Sequence, residues 1–153
     1  MREPINNRKL WIEVMAVILL TLGLMAWLVH AETKPLNRNE LRIEVGHLRS
    51  YSAEAGLLAE QALTTKVRET FFQTHTYLLR DKAESSSSSL ESATVDAGLE
   101  TNHWQARQLA GQLKSILEQL SGSFANADEL NRASSNLKSL SAQLRAAEES
   151  LKE

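Results

Sequence analysis

The sequence predicts an all-α fold: a single N-terminal transmembrane helix followed by an elongated antiparallel helical bundle. Three observations predict it. Residues 10–31 form one apolar block whose only charge is Glu13. The remainder is rich in Ala, Leu, Glu, Gln, Lys and Arg, with apolar residues recurring every three or four positions, as helices require. Only two prolines and six glycines occur in 153 residues, too few to punctuate a fold of many short strands.

Residues 1–9 read as a short basic cytoplasmic tail, with Arg2, Arg8 and Lys9 ahead of the apolar block. At about 1.5 Å rise per residue the block 10–31 reaches about 33 Å, enough to span a hydrocarbon core of about 30 Å. Trp11 and Trp27 lie near its ends, where indole rings favour the headgroup zone. The block therefore reads as a signal-anchor helix at the inner membrane, N-terminus cytoplasmic and the C-terminal domain periplasmic or extracellular. A cleaved signal peptide ending at Val29-His30-Ala31 is the alternative, although the uninterrupted run Val14–Val29 exceeds a usual signal core. Glu13 is one turn beyond Lys9 and reads as its i, i+4 partner.

Residues 32–37 form a juxtamembrane linker, and 38–153 the bundle. Asn37 with Glu40 gives a capping-box-like start. A helix is expected over about 38–82, with a stripe of Leu41, Val45, Leu48, Ser52, Ala55, Ala59, Ala62, Leu63, Val67, Phe71 and Leu78. Its centre is small, so large residues should face it. Ser85–Ser89 reads as a turn because serine bonds its own backbone in competition with helix, and Ser88 with Glu91 as the capping box of a second helix over 90–121. Ser121-Gly122-Ser123 interrupts. Asn126 and Glu129 start a third helix over 126–152, whose seam Leu130, Ala133, Leu137, Leu140, Leu144, Ala147, Leu151 alternates three and four.

Length decides the topology. An unbroken helix from 90 to 152 would reach about 94 Å, against about 67 Å for 38–82. A break near Gly122 removes the mismatch and predicts a three-helix up-down-up bundle, with a two-helix hairpin as the alternative.

Composition excludes several functions. The absence of cysteine removes disulfides, thiolate metal sites and a cysteine nucleophile. Residues 32–153 carry 14 Lys/Arg against 17 Asp/Glu, so no basic surface for nucleic acid is expected. No phosphate loop, HExxH, calcium loop or nucleophile elbow is present, so neither an enzyme nor a cofactor is expected.

Three features remain. With a tip at the serine run, His75 would face Glu100 and His103. That is a candidate metal cluster, although a polar residue packed near the tip is the plainer reading and no metal site is expected. Trp104 falls off the stripe of its helix and is a candidate anchor for a partner. The seam marked by Leu130, Leu137, Leu144 and Leu151 is either the bundle's own core or an open face for another chain. The expected function is a non-enzymatic, single-pass membrane protein presenting a helical bundle for protein contact, an accessory or scaffolding subunit. Its partners would be the bilayer through 10–31 and a protein or a second copy. The alternatives are a ligand- or ion-sensing module working through a separate partner, and an envelope-spanning rod.

Overall fold

The structure, a computed structural model, describes residues 15–21, 35–64 and 66–152. Residues 15–21 are helical (α1). Four long helices follow: α2 (Arg38–Leu63), α3 (Glu69–Ser92), α4 (Glu100–Ser121) and α5 (Ala127–Ser150). The all-α class holds, and no strand occurs among the described residues beyond one isolated bridge between Leu36 and Val95. Among these residues no helix is long and apolar enough to cross a membrane. Only 15–21 of the expected span 10–31 are described, exposed along their length. The rest of that expectation, including Trp11 and Trp27, lies outside the described residues, as does the tail 1–9. The chain divides at Lys34–Pro35 into two units, and the second is the bundle.

Two of the expected starts form as their sequences direct. The Asn37 side chain accepts from the Glu40 N–H at 3.0 Å, and the Glu40 carboxylate accepts from the Asn37 N–H at 2.9 Å. That reciprocal box satisfies two donors a helix start leaves open. At α5 the Asn126 side chain accepts from the N–H groups of Asp128 and Glu129.

The expected three helices are four, and both errors lie in the first two segments. The helix expected over 38–82 ends at Leu63. Thr64 caps it and turns its hydroxyl back to the carbonyls of Glu60 and Gln61 at 3.3 and 3.1 Å, a competition with the helix ladder that hydroxyl side chains offer. The serine run is not a turn. Ser85–Ser89 lies inside α3, with Ser86 and Ser87 buried, so Ser88 and Glu91 form no helix start. The buried stripe of α3 is Phe72, Thr76, Leu79, Ala83, Ser86, Ser87 and Leu90, which keeps helical spacing straight through the serines. Packing overrides a weak local preference here, as it does in most protein helices. The true turn is Ala93–Leu99, where Gly98 takes φ +91°.

Consecutive helices run antiparallel. Along α2 and α5, Arg49 meets Glu148 while Glu60 meets Lys138. Along α3 and α4, Glu84 pairs with Lys114 and the Leu90 carbonyl with His103. The four helices therefore form an up-down-up-down bundle, with α5 returning beside α2. Neither the three-helix nor the two-helix expectation survives. One end of the bundle gathers Leu36, the α3–α4 connection and the close of α5. The other gathers Thr64, residues 66–68 and 122–126, where Phe72 packs on Phe124 with ring centroids 5.2 Å apart.

The core is one cluster drawn from all four helices, mostly leucine and alanine. The α2–α5 seam is its closest part. Ser52 and Gly56 both face Leu137, and a Cβ on Gly56 would stand 3.6 Å from the Leu137 Cβ. The small centre of α2 thus faces a large residue, and close approach multiplies dispersion contacts.

Candidate protein-contact surface

Each candidate residue now has a place. Leu130, Leu137, Leu144 and Leu151 are at most 3 % exposed, so this seam is the bundle's own core and offers no open face. Trp104 is 62 % exposed, in the second turn of α4. Its indole makes no hydrogen bond or ring contact among the described residues.

His75 and His103 are not brought together. The Phe72–Phe124 pair fixes the start of α3 at one end of the bundle, whereas His103 sits at the other, beside Leu90. His103 Nε2 is 2.7 Å from the Leu90 carbonyl oxygen. Because that oxygen only accepts, the nitrogen carries the proton and donates. Leu90 lies in the last turn of α3, where carbonyls lack helical partners, so His103 satisfies a helix end. The Glu100 carboxylate accepts from the Gly98 N–H at 2.9 Å and shapes the same turn. His75 Nε2 stands 2.6 Å from Glu54 Oε1 of α2. No group of three or more His, Asp or Glu side chains suited to a metal occurs among the described residues.

A surface that the sequence stripe misplaced runs along the α2–α3 seam. Phe71 and Leu78, expected inside, are 55 % and 44 % exposed. The break between α2 and α3 shifts the phase, so Phe72 and Leu79 turn inward instead. Phe71 stacks on His75 with centroids 5.3 Å apart and planes at 9°. Further along the seam, Lys82 Nζ lies 5.8 Å from the centre of the Tyr51 ring, and Tyr51 stacks on His47. Aromatic, cationic and acidic groups thus lace the outside of this seam. Tyr77 is 60 % exposed beneath the Arg80 guanidinium, and Ile43 and Leu57 project from α2.

The signal for this surface was present in the sequence. Phe71-Phe72 and Leu78-Leu79 are adjacent pairs seven residues apart, and a helix with one buried face can bury only one member of each. Which one depends on the break before α3.

No family model, curated protein or solved structure matches this chain.

Proposed function

We propose that this chain is a non-enzymatic, single-pass membrane protein whose helical bundle makes protein contacts, as an accessory or scaffolding subunit. The observation carrying the reading is the exposure of Phe71, Leu78, Tyr77 and Trp104 on a bundle whose core is already closed. Large apolar side chains left in water cost stability and are retained where a partner covers them, and aromatic residues dominate such contacts. The apolar block 10–31, with a tryptophan near each end, supports an anchor at the inner membrane with the N-terminus cytoplasmic and the bundle on the other side.

The test places a photo-crosslinking residue at Phe71, Leu78 or Trp104 in the full chain expressed in cells, with exposed Gln108 as control. A discrete heavier species from the first three sites, weak or absent from the control, is the expected result. Absence of such a species from all three overturns the contact reading. Alkaline carbonate extraction tests the anchor: release of the chain without detergent would remove the membrane assignment and leave the contact reading standing.

A further inference from the structure

Between the end of α4 and the start of α5 lies a cleft of about 390 Å³, on a different seam from the α3 surface. Pockets for small ligands begin at about 300 Å³. Its walls are Gln119 and Ser123 on one side and Glu129, Arg132 and Asn136 on the other, and Ala133 forms the floor. Ala133 occupies a seam position between Leu130 and Leu137, where a leucine would extend toward this space.

The rim is braced. Ser123 Oγ donates to the Gln119 carbonyl at 2.8 Å, and the Ser123 carbonyl accepts from the Asn126 N–H at 2.9 Å. The Asn126 side chain already takes the N–H groups of Asp128 and Glu129, so the helix start is not the source of binding groups. Those groups are side chains. Among the described residues, the Glu129 carboxylate, the Arg132 guanidinium and the side-chain amides of Gln119 and Asn136 make no hydrogen bond or ion pair. Glu129 and Arg132 lie one turn apart on the same wall, spacing at which opposite charges commonly pair, yet they form no ion pair with each other.

We infer that this cleft binds a small zwitterion bearing a free ammonium and a free carboxylate, of the α-amino-acid class. Arg132 takes the carboxylate in a forked contact, Glu129 takes the ammonium, and the amides of Gln119 and Asn136 complete the remaining donors and acceptors. The Glu129 carboxylate in the same lining repels a phosphoryl group, and one carboxylate is too few for a divalent metal. The balance of a single positive and a single negative group selects a ligand carrying both.

The test is calorimetric and thermal titration of the full chain in detergent micelles. Glycine, L-serine, L-glutamine and L-leucine serve as probes, with acetate and methylammonium as single-charge controls. The expected result is binding of at least one amino acid, with Tm rising by about 5 °C or more at a hundredfold excess over Kd. Glu129→Gln and Arg132→Gln should each weaken it at least about tenfold. Both residues are exposed, so the unliganded melting temperature should hold. No binding of any probe overturns the inference. So does acetate binding that is indifferent to Glu129→Gln, which would make the cleft an anion site, or amino-acid binding that survives both substitutions.

Discussion

Ser52 Oγ donates to the main-chain carbonyl of Leu137 at 2.9 Å, joining positions 85 residues apart across the α2–α5 seam. Ser52 is wholly buried, and its size sets how closely the two helices approach. Ser52→Ala removes one hydrogen bond and should cost about 1 kcal/mol or less, since alanine regains helix propensity. Ser52→Leu must force the helices apart and should cost about 3 kcal/mol. Urea unfolding of the two variants checks the order. Equal costs would mean that the seam is not size-limited.

Thr76 presents the opposite situation. Its hydroxyl is buried and has no hydrogen-bond partner, so folding strips it of water without replacement. Thr76→Val keeps the shape and removes the polar atom. It should stabilise the bundle by about 1 kcal/mol or more, read as a higher denaturation midpoint with an unchanged slope.

The serine run tests the α3 assignment directly. Ser85, Ser88 and Ser89 are exposed helical positions, so replacing all three with alanine adds helix propensity without touching the core. The triple variant should gain about 1 kcal/mol in total. A loss on substitution would show that these serines serve a turn instead.

Gly98 and Gly111 should respond in opposite senses. Gly98 takes φ +91°, a region that costs an L-residue about 1–2 kcal/mol, so Gly98→Ala should destabilise by that much. Gly111 lies within α4, with nothing within 4 Å of an added Cβ. Gly111→Ala should stabilise by about 0.5–1 kcal/mol. Paired thermal melts decide both.

The Glu84–Lys114 pair gives the α3–α4 seam a pH signature. The hydrogen bond and then the charge of Lys114 hold the Glu84 carboxyl below its usual 4.5, and the same contacts raise Lys114 above 10.5. A lowered carboxyl adds stability above its unfolded value and loses it as pH falls below 4.5. A raised amine adds stability below its unfolded value and loses it as pH climbs past 10.5. The difference in Tm between the native chain and Lys114→Met should therefore be level through neutral pH and shrink toward pH 3. Both groups are solvent-exposed, so the difference should also shrink in about 1 M salt.

How much of this was legible follows from where helices begin and end. Asn37 and Asn126 carry their caps in their own side chains, so α2 and α5 start where the sequence says. The seam Leu130–Leu151 was read at the right spacing, and its burial in this bundle removes the open-face alternative. The end of α2 was hidden because no glycine or proline marks it; a threonine hydroxyl turning back on its own helix does the work. The serine run misled because local propensity was read without its flanks, although Leu79, Ala83, Ser86 and Leu90 keep a helical interval across it. His75 and His103 fall together only if the turn lies at Ser85–Ser89; with the turn at Ala93–Leu99 they stand toward opposite ends of the bundle. Periodicity narrows the α3 surface to one member of each of the pairs Phe71-Phe72 and Leu78-Leu79, and the break before α3 decides which; the α4–α5 cleft does not follow from periodicity, since it depends on how the two helices meet.

Leu36 has one further consequence. Its N–H donates to the Thr94 carbonyl at 2.8 Å, and its carbonyl accepts from the Asp96 N–H at 3.1 Å. These two bonds precede the α2 cap in the chain. Tension applied through residue 35 is therefore borne first by the α3–α4 connection and only afterwards by the first turn of α2. A pull at this point is shared between the start of α2 and the connection that joins α3 to α4, and the first turn of α2 does not bear it alone.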